Sequence, residues 1–133
     1  MSGNRSKISM DPLEGLEEEE ISQKVKILKK ILKNYQLWFS LVESEGLFFI
    51  TIDGEEFFIY EMLEGITLLP KRQRQAVELI CLHDMKETDA AKVMGFTKWS
   101  EPAQQYCHTG LRKLVAYHEG KKLQRVRRYR SAS

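Results

Sequence analysis

The sequence predicts a mainly all-α fold, a helical bundle with a long amphipathic helix near the N-terminus and a basic tail at the C-terminus. Apolar residues between positions 21 and 42 recur at alternating spacings of four and three, which is the period of one helix face. Between residues 71 and 114, three more segments with helical apolar spacing are separated by turns. At 133 residues the chain has room for one hydrophobic core but not for two full domains.

Hydropathy and cysteine content argue against a membrane-spanning, secreted or disulfide-rich protein. No run reaches the roughly 18 apolar residues that a membrane span needs, and residues 1–11 have no apolar signal-peptide core. We therefore expect a soluble, intracellular protein without membrane contact. Cys81 and Cys107 are the two cysteines, too few for a disulfide framework, so a reducing compartment is expected.

Charge is distributed unevenly along the chain. Residues 121–133 hold six basic residues and no acidic one, whereas the first 120 residues hold 15 basic and 19 acidic residues and carry a net charge of −4. A basic terminal block is typical of a disordered arm that binds phosphate backbones, and a solvated tail without function is the alternative. The six cations are Lys121, Lys122, Arg125, Arg127, Arg128 and Arg130.

The N-terminal part divides into a leader over residues 1–12 and an amphipathic helix over residues 13–45. The leader lacks hydrophobic periodicity, so we expect it to be flexible. In the helix, the acids of residues 17–20 precede a run of lysines, an order that suits the helix dipole. The apolar seam is long enough to join two chains into a homo-oligomer, but we favour packing against its own domain.

Residues 46–54 form a short extended segment or turn, and the residues after it have two alternative structures. The apolar run LFFITI ends at Asp53 and Gly54, which is the turn sequence of a β-hairpin. In the alternative that we favour, Asp53 caps a helix that begins at Glu55, because apolar residues keep a helical spacing as far as Leu69.

Residues 55–118 contain three further helices in close succession. The first, residues 71–82, comes directly after Pro70; the second ends at Gly95; and the third begins at Pro102, a residue suited to a first helical turn. Ala91 permits a close crossing of two helices, and Gly95 supplies the positive φ of the turn. The expected buried positions are Ala76, Val77, Ile80 and Cys81 on the first helix and Ala103, Cys107, Gly110, Leu111 and Leu114 on the third.

The runs LLPKRQRQAVELICLHDMKETDAAKVMGF and AQQYCHTGLRKL resemble the C-terminal promoter-reading domain of bacterial sigma factors, their region 4. The motifs that carry the resemblance are Leu-Pro-x-x-x-Arg ending at Arg74, Ala-x-x-x-Gly ending at Gly95, and GLRKL over residues 110–114. The resemblance covers residues 57–114 and includes small phage-encoded transcription regulators. It implies a helix-turn-helix domain over residues 55–118, ahead of the basic tail of residues 119–133.

In function, the resemblance implies a sequence-specific, DNA-binding transcription regulator of phage origin in the cytoplasm of a bacterial host cell. Double-stranded DNA and RNA polymerase are the implied partners. No segment similar to the promoter-melting domain precedes it, so independent initiation is not expected. Two positions depart from the family pattern: Lys86 stands where a Ser or Thr usually caps the second helix, and the turn after that helix is about two residues longer. Trp99, within that turn, either packs it onto the domain, which we favour, or contacts a partner.

A recognition helix presents polar side chains from its N-terminal half to base edges in the major groove. By the resemblance, Glu101 and Gln105 match base-reading positions, and Ser100 stands where the family often has arginine. The candidate base-reading residues are Ser100, Glu101, Gln104, Gln105 and His108. The candidate phosphate contacts, besides the tail cations, are Arg72, Arg74, Lys92, Lys98, Arg112 and Lys113. The alternative is that these charges form an ordinary solvated face.

Signals of catalysis are missing from the sequence, and the possible metal ligands are limited to two pairs, Cys81 with His83 and Cys107 with His108. The sequence has no Gly-rich phosphate loop and no Gly-x-Ser-x-Gly motif, so we expect a protein that is not an enzyme and has no cofactor. Cys81 and Cys107 lie on apolar stripes with a spacing that fits no zinc finger, so structural cysteines are expected. Two other functions stay open: a region 4 mimic that binds polymerase without reading DNA, and a DNA-packaging adaptor of the small-terminase kind that assembles through its N-terminal helix.

Overall fold

The computed structural model describes residues 7–46 and 49–132, with side chains as far as residue 127. Within these ranges the chain is mainly helical, as predicted, and also contains one antiparallel pair of strands, β1 (Ile50–Ile52) and β2 (Glu55–Phe57). No described helix has both the length and the apolar character needed to cross a bilayer. The helices are α1 (Glu18–Lys33), α2 (Tyr35–Glu45), α3 (Ile59–Thr67), α4 (Lys71–Val77), α5 (Glu87–Val93) and α6 (Glu101–Ala132).

Most of the described part of the predicted leader, residues 7–12, is exposed, but it makes a buried contact with the domain that the sequence did not indicate. Ile8 is buried, and the short 3-10 turn Asp11–Leu13 lies against α6 and buries Leu13. These apolar side chains are too few to form a period, so no pattern in the sequence indicated their burial. Residues 1–6 of the leader, and residues 47 and 48 of LFFITI, lie outside the described residues.

The N-terminal helix is divided in two, contrary to the single helix predicted over residues 13–45. The division lies at Asn34, whose side-chain amide donates to the carbonyl oxygen of Lys30 at 3.0 Å. An asparagine that bonds its own backbone in this way competes with helix continuation. The apolar face of α1 is buried within this chain, as favoured, through Ile21, Val25, Leu28, Ile31 and Leu32.

Residues 50–57 form a β-hairpin, so the favoured helix beginning at Glu55 is wrong. Asp53 and Gly54 have φ values of 52° and 78°, and two consecutive positive φ values match the tight hairpin turn that Asp-Gly prefers. Ile50 pairs with Phe57, which is completely buried. The helical spacing seen in the sequence begins at α3, two residues after the hairpin ends.

Helices α4 and α5 lie in the two regions where the sequence predicted the first two helices after Pro70. α4 continues as a π-turn, Glu78–Leu82, and together they bury Ala76, Val77, Ile80 and Cys81 as predicted. Lys86 precedes α5 without a capping side-chain bond. Gly95 has the predicted positive φ, at 93°.

The long helix α6 is the centre of the fold and packs against α1, α3, α4 and α5. All five predicted positions of its apolar stripe are buried. At Gly110 the approach of α4 is so close that a Cβ atom would lie 2.8 Å from Cγ2 of Val77. The expected disordered tail is instead the last part of this helix, because residues 121–130 are good helix formers and several of their cations meet acids of the domain.

Candidate nucleic-acid interface

The turn between α5 and α6 is held in place by α4. Arg72 donates from Nη1 to the carbonyl oxygen of Met94 at 2.7 Å, and its guanidinium lies 5.4 Å from the centre of the Phe96 ring. The amide of Phe96 donates to the carbonyl oxygen of Ala91 at 2.8 Å. Arg72, predicted as a phosphate contact, is thus engaged in fixing the turn from which α6 starts.

The five candidate base-reading residues divide into two groups. Gln104 and His108 line a cavity of about 210 Å³ between α1 and α6, and Gln104 also donates to Glu87 of α5. Glu101 and Gln105 lie exposed in a shallow depression on another part of α6. Ser100 is half-buried, and its carbonyl oxygen accepts the amide of Gln104 at 3.1 Å, which begins the helix.

Trp99 borders the same depression as Glu101 and Gln105, together with Pro102. Its side chain is 69% exposed, so the favoured expectation that it packs the turn onto the domain is wrong. The turn is anchored by Arg72 and Phe96 instead, which leaves the indole outside. A large exposed aromatic side chain next to unpaired polar groups is typical of a binding surface.

Arg112 is paired with an acid from the other end of the chain. Its two terminal nitrogens donate to the two carboxylate oxygens of Glu18, at 2.8 and 3.0 Å, a bidentate geometry that also suits phosphate. By this hydrogen bond and its charge, Arg112 holds the pKa of the Glu18 carboxyl below its ordinary value. Lys113, the neighbouring candidate, is half-buried, and this burial lowers its pKa.

The remaining candidate phosphate contacts differ in what they meet. Lys92 and Lys98 are exposed, and Arg74 pairs with Glu78 at 3.3 Å. In the tail, Lys121 lies 3.9 Å from Glu64 and Lys122 lies 3.8 Å from Glu55. Arg127 is exposed, and the side chains of Arg128 and Arg130 lie outside the described residues.

Arg125 contacts both an acid and an aromatic ring of the domain. It donates to Glu61 at 2.7 Å, and its guanidinium lies 4.0 Å from the centre of the Phe58 ring. Lys121, Lys122 and Arg125 therefore face acids of β2 and α3, whereas all three were predicted to contact DNA.

A largely buried polar cluster beneath the hairpin was not predicted. Lys24 donates to Glu55 at 2.7 Å and to Glu119 at 3.1 Å. His118, only 2% exposed, stacks on Phe57 at 4.7 Å between ring centres and hydrogen-bonds Glu55 through Nε2. The apolar stripe of α6 continues through Leu114 and Val115 to position 118, and this spacing was the one available signal that the histidine is buried.

Opposite charges of this cluster, those of Lys24 and of the two carboxylates, lie within 3.1 Å of each other. The hydrogen bond from His118, with Lys24 also nearby, lowers the pKa of Glu55 to about 2, although burial opposes the shift. Burial alone would lower the pKa of Lys24, but hydrogen bonds to the two carboxylates raise it above its ordinary value. Glu55, His118 and Glu119 hold ligand atoms within 4.8 Å of one another. The Lys24 ammonium already supplies the positive charge there, so the cluster is an ion-pair network of the fold.

Comparison of the chain with protein-family models, with curated proteins and with solved structures gives no significant match. The functional interpretation therefore depends on the residues and geometry described above.

Proposed function

We propose that this protein is a sequence-specific DNA-binding transcription regulator that uses α5, the turn of residues 94–100 and the start of α6 as a sigma region 4-like helix-turn-helix. The observation that carries the proposal is the pair Glu101 and Gln105. Both are exposed on the first two turns of α6, and neither has a hydrogen-bond or ion-pair partner among the described residues.

These two side chains have the chemistry that base reading needs. The amide of Gln105 matches the two hydrogen-bonding groups of an adenine edge, and the carboxylate of Glu101 can accept from the amino group of cytosine. Lys98, exposed in the preceding turn, and Lys92, exposed on α5, are the corresponding phosphate contacts. Phosphate contacts position a protein on the duplex, and base contacts specify the sequence.

The test begins with selection of bound sites from random duplex DNA and continues with affinity measurements on the selected and scrambled duplexes. Gln105→Ala should cost roughly 1 to 3 kcal/mol on the selected duplex and relax the preference at one base pair. Gln104→Ala is the matched control, because that amide is bonded to Glu87, and it should weaken binding much less. Equal losses for the two variants would mean that the Gln105 face does not read DNA.

Exposed apolar side chains favour a second candidate, the polymerase-binding mimic of region 4. Trp99 is 69% exposed and Val93, near the other end of the same turn, is 56% exposed, a pairing more typical of a protein interface than of a DNA groove. If selection enriches no DNA sequence but purified bacterial RNA polymerase binds the protein and Trp99→Ala abolishes that binding, the mimic is the correct function.

A further inference from the structure

Two buried thiols touch where the π-turn meets α6. Cys81 lies within the π-turn, and Cys107 lies on the second turn of α6. Their Sγ atoms are 3.9 Å apart, and neither residue is more than 3% exposed. In the π-turn the amide of His83 donates to the carbonyl oxygen of Glu78, five residues earlier, at 2.9 Å. Such local distortions of a helix are often found at functional sites.

The two thiols differ in their access to solvent. Cys107 lines the cavity of about 210 Å³ between α1 and α6, whereas Cys81 does not. Lys29 of α1 lines the same cavity, is half-buried and has no ion-pair partner among the described residues. A small molecule that enters the cavity therefore meets Cys107 first, in a lining that also includes Lys29 and the carboxylate of Glu87.

The electrostatic environment also distinguishes the two sulfurs. The hydrogen bond between the two sulfurs, with help from Lys29 and Lys33, lowers the pKa of Cys107, while burial and the carboxylate of Glu87 oppose the shift. The same contact and burial raise the pKa of Cys81. Because Cys107 is the sulfur that lines the cavity, and because the thiolate is the reactive form, Cys107 is the nucleophile of the pair.

We propose that Cys107 and Cys81 form a dithiol site that reacts with hydrogen peroxide. The Cys107 thiolate attacks one peroxide oxygen, the O–O bond breaks, and the leaving hydroxide takes up a proton to become water, which leaves a sulfenic acid on Cys107. The sulfur of Cys81 then attacks the sulfur of Cys107. An S–S bond forms, the S–O bond breaks, and the released hydroxide leaves as water with the thiol proton of Cys81. Two thiols and one peroxide give one disulfide and two waters.

The burial of Cys107 favours a small oxidant. Only 3% of this residue is exposed, so hydrogen peroxide, which is close to water in size, reaches the sulfur more readily than glutathione disulfide, a molecule the size of a hexapeptide. The proposal does not depend on DNA binding, because the reaction and its products can be measured on the protein alone.

The experiment exposes the folded full-length protein to hydrogen peroxide and monitors its intact mass and its linked peptides. We expect the monomer to lose two hydrogens, about 2 Da, with Cys81 and Cys107 joined. Glutathione disulfide at the same concentration should react far more slowly. Cys81→Ser should stop at a sulfenic acid on Cys107, detected by dimedone added on unfolding, and Cys107→Ser should give neither product.

Two lysine variants that keep both cysteines test the proposal even if a cysteine variant fails to fold. Lys29→Met should slow oxidation several-fold, whereas Lys30→Met, at an exposed neighbour outside the cavity lining, should leave the rate unchanged. Thiols that react with peroxide only after unfolding in urea would overturn the proposal. A disulfide that forms only between two chains, or equal rates for the two lysine variants, would overturn it as well.

Discussion

The two halves of α6 differ in which polar side chains the rest of the protein engages. In residues 101–112, the side chains of Glu101 and Gln105 face solvent without partners among the described residues, whereas Gln104 and Arg112 pair with Glu87 and Glu18. In residues 113–132, Lys121, Lys122 and Arg125 each lie within 4 Å of an acid of the same domain. Three cations of the more basic half are thus matched by acids of the same domain, and a count of cations along a sequence does not give the charge that a ligand meets.

The largest expected effect is on the free energy of unfolding, and it tests whether ion pairs of the second half of α6 stabilise the fold. Glu55→Gln removes the carboxylate that Lys24, His118 and Lys122 share. Since the pKa of Glu55 falls from 4.5 to about 2 on folding, the ionised form contributes about 3 kcal/mol at neutral pH. The free energy of unfolding, measured with urea, should drop by about this amount.

The pH dependence of this effect has a defined sign. A lowered pKa in the folded state stabilises the protein above the unfolded value and ceases to do so as the pH falls through the folded value. The parent should therefore lose stability between pH 4.5 and about 2, and Glu55→Gln should lose less over that interval. Glu56→Gln, at an exposed neighbour on β2, is the control. If the two variants lose similar amounts of unfolding free energy, the contacts of Glu55 with the second half of α6 do not contribute to stability.

A smaller effect is expected where the two halves meet. Gly110→Ala places a methyl group 2.8 Å from Val77, an overpacking that costs about 1 to 3 kcal/mol and that the better helix propensity of alanine offsets by up to about 1 kcal/mol. Gly120→Ala, on the same helix but with its nearest neighbour, Pro12, at 3.5 Å, should instead gain stability. Thermal melts of the two variants that shift in the same direction would contradict the close crossing of α4 and α6.

The smallest expected effect is on DNA affinity, and it concerns Arg112 in the first half of α6. Glu18 holds Arg112 in a bidentate ion pair, so Glu18→Gln should release the arginine and tighten binding to every duplex by a few fold at low salt. Glu19→Gln removes the same charge one residue away and is the matched control. If the two variants bind DNA equally well, the gain comes from net charge alone and Arg112 is not a phosphate contact.

Local patterns in the sequence predicted a large part of the helical structure. The stripe from Ala103 to Leu114, the burial of Ala91 and the positive φ of Gly95 all result from spacing and from residue type. Where two local signals competed, the favoured choice was wrong. The turn preference of Asp53 and Gly54 prevailed over the helical spacing that resumes at α3, and the side-chain bond of Asn34 interrupted a seam that spacing alone would continue.

Pairings between distant residues were beyond sequence reasoning. Lys24 meets Glu55 across 31 positions and Glu119 across 95, and no local period encodes such a meeting. The same reason explains why the ion pairs of Arg112, Lys121 and Arg125 were not predicted, since their acidic partners come from other elements. Of the candidate site, Glu101 and Gln105 were predicted as exposed polar groups, but the exposure of Trp99 depends on how Arg72 anchors the turn.

The pairing of α1 with α6 has a consequence for synthesis of the chain. Glu18 and Arg112 are 94 positions apart, so the ribosome must add more than 80 residues after α1 begins before the helix that covers it starts to form. During that time the buried face of α1 has only part of its final partners, and an exposed apolar helix is prone to aggregation. Contacts over such sequence distances also slow folding, which makes the emergence of α6 the event that completes the core.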